Sequence, residues 1–189
     1  TTGYVLPQLP AGRTRYTFTV LSPLFLERAA EQFAAFPFVR HALLDIARDP
    51  LEQGFEAQSF DIVIAANVLH ATADLGRTLA HARRLMAPGA LLLLLEGVAP
   101  ERWVDLTFGL TDGWWKFSDA AVRPDYPLIG REAWRALLAA QGFAEAACIP
   151  ENGALGRGAA QQALIAARAP LGGRTWALVG AEGAIGTAL

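Results

Sequence analysis

The sequence predicts an α/β fold, a mainly parallel sheet closed by an antiparallel hairpin at its C-terminal end. Three observations carry this expectation. The first is residues 59–97, which read as strand, loop, helix, turn and strand. Residues 60–66 (FDIVIAA) and 90–95 (ALLLLL) are short apolar runs, suited to strands covered on both faces. A strand–helix–strand unit of this length requires parallel pairing and a right-handed crossover. The second is that the same alternation runs upstream, with strand patterns over 15–20 and 38–44 around a helical pattern over 24–36. The third is a pair of short strand patterns over 143–149 and 160–167, separated by the Gly-rich 152–158, which predicts a hairpin.

The elements follow from local chemistry. Residues 1–9 read as a short helix ended by Pro10-Ala11-Gly12. Ser22 caps the next helix with Pro23 in its first turn, and Leu26, Ala29, Ala30 and Phe33 fall on one inner side. Asp45 and Ile46 leave the end of the following strand, and 49–58 is a loop with room for one helical turn. Asp74 can cap a helix in which Leu75, Leu79, Ala82 and Met86 recur on one face. Arg77, His81 and Arg84 share the opposite face, which places His81 in solvent, and Pro88-Gly89 stops the helix. Between 99 and 125, Trp103, Phe108, Trp114, Trp115 and Phe117 crowd together without clean periodicity. Two readings stay open there: an aromatic satellite core under a long connection, or the wall or lid of a pocket. Residues 129–141 form an amphipathic helix with Trp134, Leu137 and Leu138 inward and Gly142 just past its end.

Composition narrows the function classes. A chain of 189 residues fits one domain, or one domain and a part of another. With 53% hydrophobic and 18% charged residues it can bury a sizeable core, which argues against disorder. A net charge of -2 leaves no electrostatic footprint for nucleic acid or an anionic membrane. The apolar runs are far shorter than a bilayer span and no signal peptide opens the chain, so the expected setting is soluble and cytoplasmic. The lone Cys148 excludes an internal disulfide and a cysteine metal cluster, and its apolar neighbours mark it as a core filler. His41, His70 and His81 lack the spacing of a metal site, and His41 reads as a packed strand residue. The absence of an initiator Met and the unfinished pattern at 176–186 lead to the expectation that this is a piece of a longer polypeptide.

The parallel unit has a chemical consequence. Both of its strands end on one edge, so His70 and Glu96 emerge together at the carboxyl rim, where open α/β sheets bind ligands. A neutral imidazole can remove a weakly acidic proton near pH 7, and a carboxylate on its other nitrogen fixes the tautomer and supports the cation. His70 and Glu96 are therefore candidate catalytic residues, a general base and its orienting acid. The alternative is structural, with His70 capping a loop and Glu96 closing a strand on solvent.

Four strings carry a resemblance: ANVLHAT at 66–72, APGA at 87–90, LLLLEG at 92–97 and DLTFGLTDGWWKF at 105–117. With them, residues 1–168 resemble the C-methyltransferase domains of modular type I polyketide synthases. The resemblance implies a Rossmann-like S-adenosylmethionine (SAM) methyltransferase sheet and methylation of the α carbon of a β-ketoacyl chain on an acyl carrier protein. Neighbouring synthase domains would then be partners, with no nucleic acid and no membrane. It also implies that His70 and Glu96 are the catalytic pair and that Asp45 and Ile46 take the adenine position. Asn67 would meet the ligand's amino-acid end through a backbone or amide group.

Two departures from the family pattern bear on cofactor binding. The family's first strand, with its Gly-rich loop, lies at the centre of the sheet and does not precede Thr1 in this chain. Val20 stands where the family carries an acidic residue for the ribose hydroxyls. Loss of two charge-assisted hydrogen bonds costs on the order of 3 kcal/mol, so SAM binding by this chain is expected to be poor. A non-catalytic pseudo-methyltransferase with an architectural role is the alternative this leaves open. Residues 169–174 read as a linker, and 175–189, with G-x-x-G-x-x-G after a strand pattern, resemble the start of a ketoreductase domain. The same strand pattern could also fill the vacant central place of the sheet.

Overall fold

In the computed structural model, the described residues are 1–150 and 161–172. The Gly-rich 152–158 and the glycine pattern at 180–186 lie outside them. The element order is α1 (Thr2–Val5), β1 (Tyr16–Val20), α2 (Pro23–Gln32), β2 (Val39–Leu43), β3 (Phe60–Ala66), α3 (Leu75–Leu85), β4 (Met86–Gly97), α4 (Arg102–Thr107), α5 (Arg131–Ala140), β5 (Ala144–Ile149) and β6 (Gln162–Arg168). Short 3-10 turns occupy Leu6–Gln8, Ala11–Arg13, Leu51–Gln53, Leu69–Ala71, Phe108–Leu110 and Asp112–Trp115.

The strands form two sheets. β1 and β2 pair in parallel, while the larger sheet runs β3-β4-β6-β5. β3 and β4 are parallel, as the crossover requires, and β6 inserts antiparallel between β4 and β5 to make the expected hairpin. Parallel pairing thus governs the N-terminal half and antiparallel pairing the C-terminal half. Among the described residues, no strand pairing joins β1 to β3; a cleft lined by Thr17, Thr19, Ile62 and Ile64 lies between them.

The core sits on the larger sheet. Leu92 and Leu94 of β4 alternate inward and meet Leu75 and Leu79 of α3, Trp134 and Leu138 of α5, and Ile165 of β6. Cys148 is buried among them as expected, and burial pushes its thiol pKa up. A smaller cluster of Leu6, Ala29 and Phe33 covers one face of β1 and β2, with Phe18 packed on Phe33.

Four local expectations are corrected. β3 is not covered on both faces: Val63 and Ala65 pack into the core, but Ile62 and Ile64 are 53% and 38% exposed. The run's composition suits an interior strand, whereas β3 is an edge strand among the described residues and its exposed pair lines the cleft toward β1. Ala30 faces solvent, because the buried face of α2 is centred on Ala29 and Phe33, four residues apart, and Ala30 lies about 100° round the helix from Ala29. α3 ends at Leu85, before Pro88-Gly89, since Met86 already has extended backbone and opens β4. His81 is half-buried, and its Nδ1 lies 2.8 Å from the carbonyl oxygen of Ile46, where the β2 loop packs against α3.

Candidate active site

The site grows from the carboxyl ends of β3 and β4. β4 keeps its period of two through Leu92, Leu94 and Glu96, so the carboxylate takes the next inward position in an apolar row. Glu96 is 0% exposed. Burying such a group without partners would cost several kcal/mol. Here its oxygens are met by three donors. Oε1 accepts the backbone N–H groups of Val68 (3.1 Å) and Leu69 (2.9 Å), and Oε2 lies 2.6 Å from Nδ1 of His70.

Those bonds require a sharp turn after β3. Asn67 supplies it with φ of 53°, a left-handed conformation that asparagine tolerates better than most residues. Its backbone N–H is spent on the Leu95 carbonyl at 2.7 Å. Of the groups by which Asn67 is expected to meet a ligand, the backbone N–H is therefore occupied, while the backbone carbonyl and the side-chain amide remain.

A carboxylate accepts, so Nδ1 of His70 is the donor of the short bond, and in a neutral imidazole held this way the lone pair is on Nε2. The imidazole is 14% exposed at its side chain and meets the edge of Trp114 at 5.5 Å between ring centroids. Trp114 is buried, stacks on Phe108 and crosses Tyr126 edge-on. The tyrosine hydroxyl donates to Asp105 at 2.7 Å, and burial, with that hydrogen bond, raises its pKa to about 12. The aromatic segment thus sets Trp114 against the histidine, while Trp103, Phe108 and Trp115 stay exposed and join no buried cluster among the described residues.

Sequence reasoning missed Arg123 and Asp119. The Arg123 guanidinium is buried, pairs with Asp119 at 2.6 Å, and donates to the carbonyls of His70 and Thr72 at 2.8 Å each. Asp119 also accepts the N–H of Leu75 at the start of α3, beside the expected Asp74 cap on Arg77. A sequence signal exists in the Asp–Arg spacing of four, but nothing local shows what it holds.

The rim of the smaller sheet is simpler. Val20 ends β1 and offers its carbonyl to the N–H of Leu44. Asp45 is half-buried and uses Oδ1 to accept the N–H of Ala47, while Gln53 bonds the Asp45 backbone. An ion pair between Arg84 and Asp49 and the His81–Ile46 bond tie this loop to α3. Among the described residues no cluster of metal-ligating side chains occurs, and no helix is long and apolar enough to cross a membrane.

A family model described as a methyltransferase domain matches residues 1–92. The carbon methyltransferase of CurJ, a solved structure, is 47% identical with a TM-score of 0.86, over 89% of this chain and 45% of that one. The chain matches part of a methyltransferase domain of the polyketide-synthase type. Among the synthase relatives, the highly reducing polyketide synthase pspA of Penicillium soppii is 41% identical over 82% of this chain. The polyketide synthase component of lovastatin nonaketide synthase from Aspergillus terreus is 43% identical over 75%. The chain spans only 6% and 5% of the length of those two relatives. The trans-methyltransferase CalH, solved in complex with SAH, is 37% identical with a TM-score of 0.76 over 89% of this chain and 48% of that one.

Proposed function

We propose that this methyltransferase domain acts on the α carbon of a β-ketoacyl chain carried by an acyl carrier protein, within a multidomain synthase, with His70 as the proton acceptor. The observation that carries this reading is the 2.6 Å contact between His70 Nδ1 and a fully buried Glu96. A carbon between two carbonyls loses a proton to a base that is neutral near pH 7. His70 takes that proton on Nε2. Glu96 then faces an imidazolium, which it stabilises as an opposite charge held in a water-poor site. The electron pair of the broken C–H bond passes to the substrate as an enolate. When bound, SAM supplies an electrophilic methyl group for that carbon. Trp114 presents an apolar wall beside the imidazole, which limits water there.

The fit to SAM is uneven. The half-buried Asp45 and Ile46 at the β2 rim suit the adenine, as an acceptor and an apolar surface, and the exposed amide of Asn67 suits the amino-acid end. Val20 has no side-chain oxygen for the ribose. The second reading, a pseudo-methyltransferase kept for architecture, is favoured by that valine and by the cleft between β1 and β3. In the domain division that goes with the first reading, residues 1–168 form the methyltransferase, 169–174 a linker and 175–189 the start of a ketoreductase-like domain.

The test is His70→Ala in the complete synthase, with methylated product counted by mass spectrometry. Methyl transfer should fall at least about 100-fold, as loss of a general base does. An unchanged rate removes His70 from the reaction, and a wild-type synthase that never methylates supports the architectural reading.

A further inference from the structure

We propose that Arg123 is a positioning residue for His70: it clamps the backbone on which the imidazole is mounted and so fixes where Nε2 points. The inference rests on the reading of His70 as proton acceptor. The turn Leu69–Ala71 is too short to hold its own shape. Its internal bonds use only the carbonyls of Val68 and Leu69, which accept from Ala71, Thr72 and the Thr72 hydroxyl. Glu96 grips the N–H groups before His70, and Arg123 grips the carbonyls of His70 and Thr72. The two side chains thus pin opposite polar edges of the backbone around one Cα.

The choice of residue fits the task. Arg123 is 0% exposed, and mere filling of the space would be served by an apolar side chain without the desolvation of a cation. Its guanidinium instead makes three directed bonds, to Asp119, His70 and Thr72, and lies 5.3 Å from the Phe117 ring centroid. A planar fork can reach two carbonyls at once, whereas a lysine ammonium has no such fixed spacing. Asp119 neutralises the guanidinium and reaches the first N–H of α3, so the clamp is braced against the core helix.

The test uses Arg123→Lys and Asp119→Asn, with two readouts that a purely structural role would not move. In this chain, proton NMR should show the Nδ1 proton of His70 far downfield, as its short bond to Glu96 requires, and both variants should lose or displace that signal while their melting curves stay cooperative. In the complete synthase, kcat should fall about 10- to 100-fold, since small misplacement of a reacting group costs that much, with KM for the acyl substrate within about threefold of wild type. An unmoved resonance with an unchanged kcat overturns the proposal. So does failure of both variants to fold, which would make Arg123 a core residue only. If His70→Ala leaves methylation intact, the base assignment falls, and the resonance alone then decides whether Arg123 positions the ring.

Discussion

The two rims of the molecule are built to different standards. At the β3–β4 rim, Glu96 is fully buried and bonded to Val68, Leu69 and His70, and Arg123 binds the same loop from the other side. At the β1–β2 rim, Asp45 is half-buried and Val20 presents an apolar side chain at the proposed ribose position. The half that holds the proposed base is fixed in advance by hydrogen bonds. The half proposed to face the cofactor is held by a two-stranded sheet and by contacts to α3. Preorganisation matters most where a proton must move along a defined line, and the fold places its buried polar bonds there.

The largest expected contrast is in stability. Leu94 is 0% exposed at the centre of the larger sheet, and Leu94→Ala should cost about 2–5 kcal/mol through lost burial and a cavity. Ile64→Ala, on the same sheet but facing the cleft, should cost less than about 1.5 kcal/mol. Urea unfolding of this chain measures both, and equal losses would show that the cleft face is as tightly packed as the core.

Next comes the charge behind the base. Glu96→Gln keeps an oxygen for the N–H groups of Val68 and Leu69 but cannot stabilise the imidazolium, so methyl transfer should fall about 10- to 100-fold with little change in melting temperature. A variant that melts early yet keeps its rate would make Glu96 a structural residue. The smallest effect concerns the weaker rim. Val20→Asp puts an acceptor beside the ribose position and should tighten SAM binding about tenfold, the size of one charge-assisted bond. Calorimetric titration decides this one, and an unchanged constant would mean that the deficit lies elsewhere.

Much of this contrast could be read from residues alone, for physical reasons. The period of two in β4 puts Glu96 in the inward phase, and parallel pairing forces His70 to the same edge, so the pair was legible. Arg123 was not, because the segment after Phe117 has no period to fix its direction and its partner His70 lies 53 positions away. His81 was misread because a helical face shows its own helix and not the Ile46 loop that covers it. The exposure of Ile62 and Ile64 was hidden for a related reason: an apolar run states what a strand suits, and the neighbours decide what it receives.

The central claim is that the proton-handling half is complete in itself. The direct measurement is deuterium uptake at the α carbon of a β-ketoacyl thioester in D2O, without SAM, catalysed by this chain and corrected for spontaneous exchange. The wild-type chain should exchange at least about 100-fold faster than His70→Ala, with Glu96→Gln in between. Equal rates for wild type and His70→Ala would contradict the account, because the bonds around His70 would then hold a loop and move no proton.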